Sequence, residues 1–158
     1  SNMKLASGGS VPIPELLEAG ANITLGTDGA ASNNALSMFE SMKLCALNQK
    51  NSRWDATVAP AQQMLDFATL NGARALGIDA GSVEEGKLAD LILVDLKAPN
   101  VVPIHNIVSN LVYSANAGNV THVIIEGKMV MEERKVVVFD EAKVVEEAQR
   151  AAEELVVR

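Results

Sequence analysis

The sequence has one cysteine, Cys45, two histidines, His105 and His122, and 3% aromatic residues. A lone cysteine excludes an internal disulfide and suits a reducing, cytoplasmic setting. With so few rings, the core must be built from Leu, Ile, Val, Ala and Met. Basic residues are also scarce: 13 Lys and Arg face 20 Asp and Glu, for a net charge of -7. That balance argues against a nucleic-acid partner, because binding a phosphate backbone needs clustered Lys and Arg. No apolar run approaches the roughly 20 residues of a membrane span. There is no His-x-His pair, no Cys-x-x-Cys pair, no G-x-S-x-G elbow and no P-loop, so no complete site of those kinds can be read here.

The remaining composition is that of a folded chain. Hydrophobic residues make up 48% and charged residues 21% of 158 residues, enough for a core and for one domain by length. The segment PIPELLEAG (12–20) predicts a short helix, with prolines in its first turn and Gly20 after its end. ITLG (23–26) predicts a buried strand, and a loop of small residues follows. Ser37 and Glu40 have capping-box spacing, which starts a helix over 37–47. Phe39, Met42, Leu44, Ala46 and Leu47 give it a rough apolar face, and the polar residues 48–53 read as loop. A second helix is expected from Pro60 to Leu76, closed by Gly77.

The character of the chain changes near residues 78–86. LILV (91–94) reads as a fully buried strand, and residues 104–113 fit either helix or strand. Residues 120–131 read as a hairpin turning at Glu126-Gly127-Lys128, and 136–139 as one more strand. The last stretch predicts an amphipathic helix whose apolar face, Val144, Val145, Ala148, Ala152 and Leu155, is expected to pack. The division expected is 1–80, 81–139 and 140–158. The overall class is α/β followed by short strands and a terminal helix.

Asp28 is the residue of chemical interest. Thr-Asp-Gly is by itself a turn signal. A carboxylate where a strand of an α/β unit ends is also where such folds keep their chemistry, as metal ligand or general base. Both readings stay open on the residues alone. His105 reads as a loop residue, His122 as a solvent-facing strand residue and Cys45 as an inert thiol within a helix.

Five segments taken together, SNMKLASG (1–8), GTDGAASNN (26–34), NGARALG (71–77), GSVEEGKLADLILVD (81–95) and VIIEGK (123–128), resemble one family. They are similar to the C-terminal portion of amidohydrolase-superfamily deaminases. The branch is that of the 5-methylthioadenosine/S-adenosylhomocysteine deaminases and the triazine chlorohydrolases. The resemblance implies the last part of a metal-dependent (β/α)8 barrel, part of a composite β-sandwich and a C-terminal helix. It implies one divalent metal, zinc or iron, and a small nucleoside substrate. By resemblance, Asp28 is the final metal ligand and the acceptor of the attacking water's proton, and Asn2, Ser32, Asn33 and Asn34 line the substrate pocket. The histidine ligands of that family have no counterpart here, and a barrel of this type needs roughly 250 residues. The expectation is therefore a portion of a deaminase, inactive alone. The alternatives are a noncatalytic module that self-associates through exposed barrel or sandwich edges, and a portion of a triazine- or guanine-type hydrolase.

Overall fold

The computed structural model describes residues 4–5 and 9–156. It begins with a helical layer: α1 (Ile13–Glu18), α2 (Met38–Arg53), α3 (Ala61–Ala68) and α4 (Leu70–Leu76). Next come β1 (Leu91–Val94), α5 (Ile107–Tyr113) and a 3-10 turn at Ala117–Asn119. Then follow β2 (Val120–Ile125), β3 (Lys128–Glu132), β4 (Lys135–Val136) and α6 (Glu141–Val156).

The core is aliphatic with one ring. Ile13, Met42, Ala46, Ala59, Met64, Phe67 and Val112 form a single buried cluster, with Met64 and Val112 at 0% exposure. It joins α1, α2, α3 and α5. The segment that sequence left open between helix and strand is therefore a helix of the first layer. Asn106 explains its start, since its Oδ1 accepts from the Ser109 backbone N–H at 2.9 Å.

The strands form one antiparallel sheet in the order β1-β2-β3-β4. The β2–β3 hairpin turns on Glu126 and Gly127, both at positive φ (49° and 74°), the backbone required by the tight turns that match strand twist. β1 pairs only with β2 among the described residues, so it is an edge. Ile92 and Leu93 are about half exposed, not fully buried as the apolar run suggested. The strand expected at 136–139 shrinks to Lys135–Val136, although Val137 N–H still donates to Val130 O at 2.9 Å.

Two helices depart from expectation. α2 runs through the polar 48–53 stretch to Arg53, where Trp54 caps it in the left-handed region at φ 52°. No Gly or Pro stands there to stop it. Gln49, 2% exposed, donates from Nε2 to Val11 O at 2.9 Å, and Lys50 Nζ holds the next loop by Ala56 O and Val58 O at 2.7 and 2.6 Å. The helix expected from 60 to 76 breaks at Thr69 (φ -130°, ψ -88°), whose Oγ1 donates back to Leu65 O at 2.7 Å. The expected end at Gly77 is observed, with Gly77 at φ 67°. α6 forms as predicted, yet none of its described residues is buried, so its apolar stripe stays largely exposed and the packing expected of it is not observed.

Candidate functional site

Residues 23–27 form no strand ladder among the described residues, contrary to the strand expected there. Their backbone groups bond to helices instead. Leu25 N–H donates to Phe67 O at 3.0 Å, and Asn71 Nδ2 donates to Ile23 O at 2.9 Å. Asn22 Nδ2 returns the contact, to Asn71 O at 3.0 Å. The segment is thus fixed from α3 and α4 by a main-chain contact and two side-chain amides.

It ends at Asp28, an exposed residue at φ 62°. Aspartate tolerates this left-handed conformation better than most side chains, because its short polar group can bond locally. Here Oδ1 accepts from the Gly29 backbone N–H at 2.7 Å. The loop then closes on itself, with Ser32 N–H and Asn33 N–H both donating to Gly29 O, at 3.0 and 2.9 Å. Asn33 Nδ2 donates to Thr27 O at 2.8 Å, and Ala35 N–H reaches Asn33 Oδ1 at 3.4 Å. Asn34 Oδ1 accepts from Lys4 Nζ. The chain enters α2 through Ser37, whose Oγ accepts from Glu40 N–H at 3.3 Å, as the capping spacing indicated.

Asp28, Ser32, Asn33 and Asn34 therefore lie in one loop, with Ser32 and Asn33 half-buried and Asn34 exposed. Asn2 lies outside the described residues. A cavity of about 540 Å³ lies beside the loop, and Lys4, Thr24, Asn33, Asn34, Cys45 and Asn48 help line it. Asp28 is not among its lining residues, so this space and the carboxylate are separate features. Burial pushes the Cys45 thiol above its usual pKa, consistent with an inert role. His105 is an exposed loop residue as expected. His122 is a strand residue as expected, half-buried in β2, with Nδ1 2.9 Å from Thr121 Oγ1.

Among the described residues no three His, Cys, Asp or Glu side chains gather as a metal site. The donors present do not fit a bound zinc or iron ion, which takes three or four protein ligands. Asp28 can supply one. Also among the described residues, no helix is long and apolar enough to cross a membrane.

Sequence reasoning missed three parts of this arrangement. They are the anchoring of the segment by Asn22 and Asn71, the tie from Lys4, and the use of both ends of the Asn33 amide inside the loop. Asn71 alone left a trace, as a polar residue within an apolar helical pattern.

Comparison with known proteins shows what the chain is similar to. The model described as Amidohydrolase family matches residues 1–130. A 5'-deoxyadenosine deaminase of Methanosarcina mazei is 52% identical over 158 residues, covering 100% of this chain and 36% of that protein. A 5-methylthioadenosine/S-adenosylhomocysteine deaminase of Haloquadratum walsbyi is 46% identical over 158 residues, again 100% of this chain and 35% of the relative. Among solved structures, an adenosine deaminase from Xanthomonas campestris with bound zinc matches with a TM-score of 0.94 at 42% identity, over 99% of this chain and 36% of the other. An atrazine chlorohydrolase of Arthrobacter aurescens, complexed with zinc, matches with a TM-score of 0.83 at 28% identity, over 90% and 32%. The chain thus spans about a third of the length of the relatives it matches.

Proposed function

The chain belongs to the amidohydrolase family, and from that premise we propose that it is the acid-bearing portion of a hydrolase that deaminates adenosine-type nucleosides. The observation that carries the reading is Asp28, a carboxylate held at φ 62° where a braced segment opens into a small-residue loop. The similarity to deaminases over the whole chain gives it a substrate class.

In the reaction, a water oxygen bonds to the amidine carbon of the purine, and the bond from that carbon to the exocyclic nitrogen breaks. Asp28 accepts a proton from the attacking water and passes it to the departing nitrogen, which leaves as ammonia. An ionised carboxylate close to the reacting water is suited to this general-base step. Asn2, Ser32, Asn33 and Asn34 contribute to the pocket. The zinc in the Xanthomonas and Arthrobacter structures supports a divalent metal for the whole protein. Asp28 would be one ligand, and the other donors are not assembled by the described residues of this chain. We read residues 1–80 as the last part of a (β/α)8 barrel, 81–139 as part of a composite β-sandwich into whose neighbour α5 reaches back, and 140–158 as a terminal helix. A cytoplasmic location fits the single cysteine.

The test is ammonia release by the full-length protein from 5'-deoxyadenosine, 5-methylthioadenosine and S-adenosylhomocysteine. Asp28→Asn should lower kcat by about 10² to 10⁴-fold. No ammonia from any nucleoside, or an Asp28→Asn variant at the unsubstituted rate, rejects the proposal.

A second reading rests on a different observation. The half-exposed β1 edge and the largely exposed apolar stripe of α6 favour self-association. A single monomeric species by light scattering would count against a homo-oligomer.

A further inference from the structure

We propose that Asn33 is a positioning residue for Asp28, fixing the backbone that aims the carboxylate; the catalytic part of this inference rests on the deaminase reading above. The resemblance placed Asn33 among residues that line the substrate pocket, and it does border the cavity beside the loop, yet both ends of its side-chain amide are engaged within the loop. Nδ2 donates to Thr27 O at 2.8 Å and Oδ1 accepts from Ala35 N–H at 3.4 Å, so one amide spans the loop from the residue before Asp28 to the approach to α2. Its own N–H adds a bond to Gly29 O at 2.9 Å.

The bond to Thr27 O is the decisive one. That oxygen belongs to the peptide plane linking Thr27 to Asp28, and rotation of this plane changes φ of Asp28. At φ 62° the plane sits where a residue with a Cβ is rarely found, so something must hold it. The Asp28 carboxylate contributes by accepting from Gly29 N–H on the far side of the residue. Asn33 contributes on the near side, where the carboxylate bond to Gly29 cannot reach. Two short polar side chains thus restrain the two peptide planes flanking one Cα. Loss of the Nδ2 contact removes the restraint on the Thr27 side of that plane and favours its rotation toward the common negative-φ regions, which would swing the carboxylate away from its present direction.

The experiment compares the full-length protein with Asn33→Ala and Asn33→Asp. Asn33→Asp keeps an acceptor for Ala35 N–H and removes the donor to Thr27 O. Both variants should lose about tenfold or more in kcat, while KM stays within about twofold, because misplacing a catalytic group slows chemistry without removing substrate contacts. Nuclear magnetic resonance on the free protein gives an independent readout. The strong intraresidue HN–Hα Overhauser effect of a left-handed Asp28 should weaken in both variants. In the unsubstituted protein, the Asn33 Nδ2 protons should exchange more slowly than those of exposed Asn34. A rise in KM at constant kcat would make Asn33 a substrate contact and overturn the proposal. Unprotected Asn33 amide protons, or an unchanged Asp28 signal in the variants, would overturn it too. If the variants fail to fold, the exchange measurement decides by itself. If the unsubstituted protein releases no ammonia, the deaminase reading falls, and the magnetic resonance results still judge the clamp.

Discussion

Gly81→Ala should destabilise the protein far more than Gly86→Ala, although both glycines sit at φ 86°. The shared left-handed backbone costs a residue with a Cβ about 1–2 kcal/mol at either position. Both variants also gain about 0.4–1 kcal/mol from a stiffer unfolded chain. The difference lies in the space around each Cα. A Cβ on Gly86 would meet nothing within 4 Å, whereas one on Gly81 would lie 2.9 Å from Leu70 Cα, 2.9 Å from Thr69 O and 3.0 Å from Leu70 N. Carbon atoms pack best at about 3.5–4.0 Å, and the obstructing atoms are backbone, which cannot rotate aside. Separating them from Gly81 should cost a further ~1–3 kcal/mol, as overpacking usually does. Urea unfolding of both variants measures this directly, since a midpoint shift at constant m reports stability. The entropy and backbone contributions cancel in the comparison. Equal midpoints would refute the steric argument and with it the tight approach of Gly81 to the break between α3 and α4.

Met64→Ala should cost about 2–5 kcal/mol, because Met64 is wholly buried in the cluster that joins α1, α2, α3 and α5; a loss under 1 kcal/mol in urea unfolding would mean this core is not continuous. Asp55 accepts from Thr57 Oγ1 at 2.6 Å and Thr57 N–H at 2.7 Å, and these bonds hold its carboxyl below the usual range. Its folded pKa is depressed, so the stability it contributes is present above the unfolded value of about 3.9 and is lost as pH falls through the folded pKa. Thr57→Val should move the Asp55 carboxyl titration, followed by its carbon resonance, back up toward that value, and an unmoved curve would refute the assignment.

What the sequence made legible was punctuation. Ser37, Gly77, Glu126 and Gly127 act through local geometry, and each does in three dimensions what its type suggested. The errors arose where distant groups decided the outcome. Residues 48–53 look like loop until Gln49 is seen buried against Val11. Residues 23–26 have the composition of a strand, but a strand also needs a neighbour, and here helices supply the bonds. LILV was read as buried because its composition is apolar, but burial depends on what covers a sheet, and composition carries no record of that. The candidate site follows the same pattern. Asp28 was visible from its flanking residues. The role proposed for Asn33 was not, because a side-chain amide that binds its own loop and one that binds a ligand are the same letter.

The anchoring of residues 22–27 also has a consequence in time. Ile23 and Asn71 lie 48 residues apart. On a ribosome adding about 5–20 residues per second, the amide that holds the segment is made roughly 2–10 s after the segment itself. During synthesis the loop around Asp28 can therefore close on itself before the segment leading into it is anchored, and the sheet, made from residues beyond 90, follows later still.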